Sequence, residues 1–312
     1  MVTNEKRRAL ELWQEMAAAM APTDPEQPPS PEQLRRAYDQ WAQTHFPAPA
    51  DLLLEPVNAG GVPALWARID GAESTRTILY FHGGGYMIAS AAGYASTAAD
   101  LARSADANVL LVDYRLAPEN PFPAAVEDAV TAYMWSIARH DPSTVVVAGD
   151  SAGGGLVAAL LIALRDRGLP LPAAGVCISA WLDMTLSSES ISAKAAVDPI
   201  MSEPMLQGMA AAYLQGAQAD LPSASPLHGD LAGLPPLLVM TGTWDSLTDD
   251  STRFAAKARQ AGVDVTLAVF EEMYHCWHIM TPVLAESRSA IAEIGQFCQV
   301  HSGPLSRPVE SR

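Results

Sequence analysis

The sequence predicts an α/β fold, built on a mostly parallel, eight-stranded sheet with helices on both faces. Three observations indicate this class. Several short segments are apolar at nearly every position, which is typical of strands buried on both sides, and stretches with helical periodicity separate them. The turn signal NAGG (58–61) joins two further extended segments, DLLLEPV and VPALWARI, and predicts an antiparallel hairpin at the start of the sheet.

After the hairpin, strands and helices alternate along the chain. The predicted strands comprise residues 77–81, 108–114, 144–149, 175–179, 236–242 and 265–270. The predicted helices comprise residues 93–105, 122–139, the stretch after Ser151, 246–261 and 282–299. Such alternation is typical of a parallel sheet that is covered on both faces.

Two segments depart from this alternation and are predicted to form a helical cap. Residues 1–46 contain helical patterns at 4–20 and 31–45 on either side of a proline-rich joint. Residues 181–225 have a helical pattern near 203–215 and are interpreted as an insertion. The amphipathic N-terminal segment is expected to bury its apolar face against this insertion. The predicted core comprises residues 47–180 and 226–303, followed by a frayed tail at 304–312.

The charge and composition of the chain limit its partners. Apolar residues make up 49% of the 312 residues, enough to bury a large core, and the formal net charge is −16. Because an acidic surface repels phosphate and anionic lipid, nucleic acid and membrane surfaces are poor partners. No segment is long and apolar enough to predict a membrane span. A small neutral molecule is the expected substrate, and a homodimer is left open.

The cysteines and the N-terminal sequence predict a cytoplasmic protein. Cys177, Cys276 and Cys298 are odd in number and irregular in spacing, so no disulfide framework is expected and a reducing compartment fits. The basic start followed by small residues faintly resembles a signal peptide, but Glu11 and Glu15 interrupt its apolar region. The start of the chain is therefore interpreted as an amphipathic helix.

The segment GDSAG (149–153) has the form G-x-S-x-G and lies directly between a predicted strand and a predicted helix. A serine on so sharp a turn adopts strained backbone angles, and glycine two positions to either side avoids collisions. The turn would present the hydroxyl at the N-terminus of a helix, where free N–H groups favour negative charge. Small residues are common at ordinary strand–helix junctions, but the clear strand and helix here predict that Ser151 is a nucleophile.

A run of three glycines follows the predicted strand TILYF, in the segment HGGGY (82–86). Glycine lets backbone N–H groups face inward without obstruction by a Cβ atom. The N–H groups of Gly84, Gly85 and Ala152 are predicted to hold a developing oxyanion, and Gly83 is a further candidate. His82 is expected to brace this loop by hydrogen bonds and not to act as a base.

The catalytic acid and base are expected downstream of the serine. Asp245 is the candidate acid because it follows the predicted strand PLLVMTG most closely. Asp249 and Asp250 fall within the next helical pattern and are expected to cap that helix or to face solvent. His275 is the candidate base because it lies in the loop after the strand VTLAVF, whereas His278 is expected to pack at the start of the last helix.

No metal or organic cofactor is predicted. His275, Cys276 and His278 are close in sequence, but no other Cys/His cluster completes a metal site. The acidic pair Glu127 and Asp128 lies in a predicted helix and is interpreted as a solvated face. The expected chemistry therefore depends on side chains and backbone groups of the protein alone.

Four motifs, taken together, carry a family resemblance. They are HGGGY (82–86), DYRLAPE (113–119), GDSAGG (149–154) and the pair DSL…YHCW (245–247 and 274–277). In this order they resemble the hormone-sensitive-lipase group of α/β-hydrolases, the bacterial esterases with an HGGG loop, over roughly residues 50–300. The resemblance implies an α/β-hydrolase fold. It also implies that Asp113 and Arg115 pair beside the oxyanion loop.

The chain departs from the usual family pattern at two places. The family usually has His-Gly-Phe near the base, where this chain has HCW (275–277), and often Asp-Pro-Leu at the acid, where this chain has DSL (245–247). The His-x-Trp pattern is similar to that of bacterial monoterpene lactone hydrolases and acetyl hydrolases. Neither departure removes a triad residue, so both bear on the substrate and not on the mechanism.

These observations predict a serine carboxylic-ester hydrolase that acts on small to medium, mostly neutral esters through an acyl-enzyme. A lactonase would use the same steps on a cyclic ester. The alternative from another class is a ligand receptor on the same fold, but such receptors lack the histidine that His275 supplies here. An apolar substrate pocket is predicted, although its methionine and aromatic side chains fit a cap core equally well. Its predicted lining is Tyr86, Trp181, Met201, Met205 and Met209.

Overall fold

The computed structural model describes residues 3–21 and 29–303 of the chain. Most of the predicted proline-rich joint, and the predicted frayed tail at 304–312, therefore lie outside the described residues. Within the described part, each strand and each helix expected from the sequence is present, with boundaries that differ by at most a few residues.

The eight strands form one sheet. In chain order they are β1 (Leu52–Ala59), β2 (Val62–Ile69), β3 (Arg76–Phe81), β4 (Ala107–Val112), β5 (Val145–Asp150), β6 (Ala174–Ile178), β7 (Leu237–Gly242) and β8 (Val265–Phe270). Their order across the sheet is β1-β2-β4-β3-β5-β6-β7-β8. The β1–β2 hairpin and the β2–β4 pair are antiparallel, and the remaining neighbours are parallel. The predicted α/β-hydrolase fold is confirmed.

The helices occupy both faces of this sheet and the two segments outside the alternation. They are α1 (Asn4–Met20), α2 (Pro31–His45), α3 (Ala95–Ala105), α4 (Ala124–Ile137), α5 (Ala152–Asp166), α6 (Ser190–Ala193), α7 (Glu203–Leu214), α8 (Thr248–Gln260) and α9 (Ala285–His301). One hydrophobic cluster contains the buried sides of α4, α5, α7 and α8, and a second contains those of α1, α2, α3 and α9. β5 and β7 are buried at every position between the clusters, which explains why their sequences lack polar alternation.

The two N-terminal helices pack on each other and on the core. Trp13 of α1 stacks on Trp41 of α2 with ring centroids 5.2 Å apart, and Tyr38 of α2 stacks on Tyr94 at 6.4 Å. The expectation that this apolar face is buried against residues 181–225 holds only in small part, because Ile200 is the one residue of that described segment that packs against the cluster containing the face. Helix α7 of that segment belongs to the other hydrophobic cluster, and a cavity lies between it and α1. The boundaries of the cap segments stay a prediction.

The charged residues around the DYRLAPE motif pair differently from the expectation. The Asp113 carboxylate accepts a hydrogen bond from the Ala91 N–H at 2.6 Å and does not pair with Arg115. Arg115 instead donates to Asp128, with a shortest distance of 2.8 Å, so the solvated face expected at Asp128 is also wrong. Asp128 is buried because it faces back toward this loop from the first turns of α4. Glu127 is exposed, as expected, and pairs with Arg167.

Candidate active site

Ser151 lies at the turn between β5 and α5. Its backbone φ is 53°, a conformation that side chains other than glycine rarely adopt, and its side chain is almost fully buried. A Cβ atom at Gly149 would come within 2.7 Å of the Phe81 carbonyl oxygen, and one at Gly153 would come within 2.6 Å of the His82 carbonyl oxygen. The two glycines of the motif are therefore required by the close approach of β3 to this turn.

The three residues expected to form a catalytic triad lie in one chain of hydrogen bonds. The Ser151 Oγ is 2.9 Å from the His275 Nε2, and the His275 Nδ1 is 3.0 Å from the Asp245 Oδ1. The Asp245 carboxylate also accepts the Leu247 N–H at 2.9 Å, which fixes it in the turn after β7. All three side chains are buried. With Nδ1–H donated to the carboxylate, Nε2 is free to accept the serine proton.

The electrostatic attraction between Asp245 and His275 determines the charge states of these two side chains. Burial alone would lower the pKa of His275, but the charge and hydrogen bond of Asp245, with further negative charge from Asp198 and Asp150, raise it above its ordinary value. Burial alone would raise the pKa of Asp245, but the His275 charge and hydrogen bonds hold it below its ordinary value. The arrangement favours an ionised Asp245 beside an imidazole that readily accepts a proton.

The other two candidate carboxylates of the acid loop serve the fold. Asp250 was expected at the surface or at a helix cap, and this is wrong, because it is buried and accepts the N–H groups of Leu182 and Asp183 at 2.8 and 3.0 Å. Burial raises the pKa of Asp250 to about 7. Asp249 lies in the first turn of α8 and accepts the Ser190 N–H at 2.8 Å. Neither carboxylate hydrogen-bonds His275.

The glycine loop places free N–H groups near the serine. Gly84 and Gly85 have φ values of 104° and 62°, and they line the same cavity as Ser151. Among the described residues, the N–H groups of Gly84 and Gly85 have no hydrogen-bond acceptor. The N–H group of Ala152, the first residue of α5, has no acceptor outside that helix. The Gly83 N–H differs, because it donates to the Asp150 Oδ1 at 3.1 Å and to the Tyr94 hydroxyl at 3.2 Å.

His82 holds the glycine loop through hydrogen bonds and ring stacking. Its Nδ1 lies 2.7 Å from the Gly83 carbonyl oxygen, and its own carbonyl accepts the Tyr114 hydroxyl at 2.7 Å. The His82 and Tyr114 rings stack with centroids 4.5 Å apart. These contacts fit the expected bracing role, and no hydrogen bond joins His82 to Ser151.

Asp150 is a residue of the site to which the sequence analysis assigned no role. It is fully buried and accepts hydrogen bonds from the hydroxyls of Tyr80 and Tyr94, both at 2.8 Å, as well as from Gly83. The Cys276 thiol donates to the same carboxylate at 3.3 Å. Asp150 thus joins the serine turn to the glycine loop and to the histidine loop. The sequence did contain a signal for this role, because Asp150 is the one charged residue among the small residues of the GDSAG motif.

Cys276 and His278 are not placed to react. Burial and the neighbouring carboxylates raise the pKa of Cys276 well above its ordinary value, so the thiol stays protonated. His278 is buried in the turn Trp277–Ile279, seven residues before α9 begins at Ala285 and not at its start as expected. Its Nε2 is 3.2 Å from the Tyr80 hydroxyl, and burial lowers its pKa to about 4. Within residues 3–21 and 29–303, no group of three His, Cys, Asp or Glu side chains could hold a metal ion.

A largely apolar cavity of about 550 Å³ opens above Ser151. Trp181, Met201, Met205 and Met209 line it, as expected. Tyr86 does not line it, because its ring is buried and stacks on Tyr213 with centroids 3.9 Å apart. Helix α1 supplies a further wall, as expected of an N-terminal segment that closes the pocket over Ser151, although the sequence analysis named no pocket residue in it. The residues of this wall are Trp13, Met16, Ala17 and Met20.

Comparison with known proteins identifies the class that this fold and site define. A family model for the alpha/beta hydrolase fold matches residues 78–279, more than half of the chain. The chain is 43% identical over 276 residues to an acetyl-hydrolase of Streptomyces hygroscopicus, covering 87% of this chain and 91% of that protein. It is 33% identical over 270 residues to an esterase of Acinetobacter venetianus, covering 86% and 88% respectively.

Solved structures give the same result at higher coverage. An esterase from the bacterial hormone-sensitive lipase family superposes with a TM-score of 0.91 at 43% identity, covering 96% of this chain and 99% of that one. A hormone-sensitive lipase from a metagenome library superposes with a TM-score of 0.89 at 32% identity, covering 96% and 99%. The chain therefore belongs to the α/β hydrolase family, and within it to the hormone-sensitive-lipase group. None of the helices among the described residues has the length and apolarity needed to cross a membrane.

Proposed function

We propose that this carboxylic ester hydrolase works through Ser151 as nucleophile, His275 as general base and Asp245 as the acid that orients the base. The observation that carries the proposal is the unbroken chain of hydrogen bonds from Ser151 through His275 to Asp245. The serine turn, the order of the three residues along the chain and the cavity above Ser151 support it.

The geometry supplies each step of an acyl transfer. His275 Nε2 takes the hydroxyl proton as Ser151 Oγ attacks the ester carbonyl, and Asp245 stabilises the imidazolium that forms. When the tetrahedral intermediate collapses, the C–O bond to the alcohol breaks and His275 returns the proton to the departing oxygen. Water then attacks the acyl-enzyme with His275 again as base, which releases the carboxylic acid and restores Ser151.

We assign the oxyanion hole to the N–H groups of Gly84, Gly85 and Ala152. Gly84 and Gly85 line the cavity, and Ala152 directly follows Ser151 in the chain. All three N–H groups are free to donate among the described residues, and donors of this kind typically contribute about 3 kcal/mol to the transition state. Gly83 is left out of the assignment, because its N–H already donates to Asp150 and Tyr94.

We propose small to medium, mostly neutral esters as substrates. Methionine is the most frequent residue in the cavity lining, and no Lys or Arg side chain of the described part of the chain lines the cavity to bind an anionic group. The nearest carboxylate in the lining, Asp150, has its oxygens occupied by hydrogen bonds. A cyclic ester would react by the same steps. The similar proteins, however, are named as an acetyl-hydrolase and as esterases, and none of these names mentions a lactone or a receptor. Neither the lactonase nor the receptor alternative is therefore favoured.

Turnover of p-nitrophenyl acetate tests the reaction class against the receptor alternative. The proposal predicts many molecules of nitrophenol released per chain, because His275 is in place to regenerate the serine. Stoichiometric binding of the ester without turnover would instead support a receptor.

The cysteines support the cytoplasmic location that the sequence suggested. All three are free and buried, which fits a reducing compartment.

The acidic limb of the pH profile is expected to lie above the ordinary histidine value of about 6.5. A general base must be neutral, and the raised pKa of His275 keeps the inactive protonated form present to a higher pH. We expect kcat/KM for p-nitrophenyl acetate to fall with a single proton as the pH decreases through the raised pKa of His275. A flat profile from about pH 5 to 8, with the chemical step shown to be rate-limiting, would contradict His275 as the base.

A larger side chain at Gly208 is expected to select against long esters. Gly208 lies in α7 on the cavity-facing stripe with Met205 and Met209, and a Cβ atom added there meets open space. Gly208→Leu should lower kcat/KM for nitrophenyl decanoate about tenfold relative to the acetate, since contacts of a few methylenes are lost. Gln207→Leu is the matched control, because Gln207 is exposed and outside the cavity lining. Equal loss across all chain lengths would show that α7 does not shape the pocket.

A further inference from the structure

A second buried carboxylate stands beside the triad, on the segment that forms one wall of the cavity. Asp198 belongs to residues 181–225 and is 6% exposed. Its Oδ2 accepts the Ser246 N–H at 2.8 Å, directly after Asp245 in the chain. Its Oδ1 accepts the N–H groups of Ile200 and Met201 at 3.0 and 3.2 Å. One carboxylate therefore holds two separate backbone segments.

The two segments have different parts in the site. Ile200 and Met201 line the cavity above Ser151, while the turn at Ser246 carries Asp245. Because all three N–H groups are held by the same side chain, the position of the cavity wall and the position of the acid loop are linked. No other side chain among the described residues accepts hydrogen bonds from both segments.

Asp198 also contributes charge to the site. The groups that face His275 are Asp245 from the acid loop, Asp150 from the serine turn, Asp198 from the cavity wall and His278 from its own loop. Burial raises the pKa of Asp198, while the His275 charge and the backbone N–H groups oppose that rise. Negative charge on Asp198 favours the imidazolium that forms during acyl transfer.

We propose that Asp198 is a positioning residue for ester hydrolysis, which couples the Ile200–Met201 wall of the pocket to the loop that carries Asp245. The proposal rests on the triad assigned above. Its carboxylate holds the acid loop in the register that lets Asp245 face His275, and it holds the wall against which the substrate packs. Loss of this side chain therefore affects both kcat and the selection of substrates.

Asp198→Asn tests the proposal with three measurements. The amide has one acceptor oxygen in place of two, so either the wall or the acid loop loses its partner. We expect kcat for p-nitrophenyl acetate to fall about tenfold, which corresponds to one buried N–H left unpaired. The ratio of kcat/KM for the butyrate and acetate esters should change. The acidic limb of kcat/KM should move to lower pH, because a negative charge near His275 is gone.

Ser246 offers a matched pair that leaves Asp198 intact. The Ser246 hydroxyl finds no partner among the described residues, so Ser246→Ala removes no hydrogen bond and should behave like the unchanged enzyme. Ser246→Pro removes the N–H that Asp198 accepts, at a position where the family pattern often has proline. We expect Ser246→Pro, but not Ser246→Ala, to lower kcat, and its effect should not add to that of Asp198→Asn.

Asp249→Asn is the control for the pH measurement. Asp249 also links α8 to residues 181–225 through one backbone N–H, but it makes no contact with the triad. The acidic limb of kcat/KM for the Asp249→Asn enzyme should stay at the same pH as for the unchanged enzyme. An Asp198→Asn enzyme with unchanged kcat and an unchanged limb overturns the proposal, and if that variant does not fold, equal kcat in Ser246→Pro and Ser246→Ala overturns it. In each of these cases Ser151→Ala stays inactive, whereas failure of the triad assignment leaves Ser151→Ala active.

Discussion

Replacing Ser151 by alanine is expected to lower kcat for p-nitrophenyl acetate by about 10⁴ to 10⁶-fold, as loss of the nucleophile does in other serine hydrolases. The reason is that no acyl-enzyme can form, so any remaining hydrolysis must come from the oxyanion hole and substrate binding alone. The backbone should be unaffected, since the strained turn and its two glycines remain. Steady-state kinetics and circular dichroism of the variant measure the two parts of this expectation.

Ser251→Ala is the matched control for this variant. Ser251 is buried in α8, and its hydroxyl has no hydrogen-bond partner among the described residues. An alkyl phosphonate that reacts with activated serines should label the unchanged protein and Ser251→Ala, but not Ser151→Ala. Labelling of Ser151→Ala at another serine would contradict the assignment of the nucleophile.

Asp245→Asn is expected to lower kcat by about 10⁴-fold, because an amide that donates to Nδ1 stabilises the histidine tautomer whose Nε2 cannot accept a proton. Asp249→Asn should change kcat by less than about tenfold, as expected for a side chain away from the reacting atoms. Both changes replace a carboxylate by its amide in the same loop and helix, so the comparison isolates the contact with His275. If Asp249→Asn were the crippling change, Asp249 and not Asp245 would be the acid.

Much of the fold could be predicted because its signals are local. The NAGG turn fixes the β1–β2 hairpin, and the uninterrupted apolar residues of β5 and β7 follow from burial on both faces. The positions of Ser151, Asp245 and His275 were also predictable, since each lies in the turn or loop that follows a strand of the parallel sheet. The carboxyl ends of such strands meet at one edge, where ligands bind.

Contacts between distant segments could not be predicted. Asp128 lies in a helical pattern that is equally typical of a solvated face, and only the fold brings the Arg115 guanidinium to it. Asp198 and Asp250 accept backbone N–H groups from loops 48 and 67 or 68 residues away, and backbone donors leave no pattern in a sequence. The same limit applies to Tyr86, which stacks on Tyr213 and not on the substrate pocket.

The net charge of the chain is another property whose location in the fold could not be predicted from the sequence. A formal net charge of −16 indicated an acidic surface, but part of that acidity is internal. The buried carboxylates around the site accept backbone N–H groups, hydroxyls or charged partners, which compensates the cost of removing them from water. They connect the serine turn, the acid loop and the cavity wall. These residues are Asp150, Asp183, Asp198, Asp245 and Asp250.

Mass spectrometry of the protein trapped during turnover tests the central claim most directly. The protein is mixed with excess p-nitrophenyl acetate, quenched in acid within the first turnovers and digested. A covalent acyl-enzyme formed by the Ser151, His275 and Asp245 chain predicts one acetyl group per chain, located on the peptide that contains Ser151 and absent from Ser151→Ala. Rapid hydrolysis with no acetylated peptide, or with the acetyl group on another residue, would contradict the account.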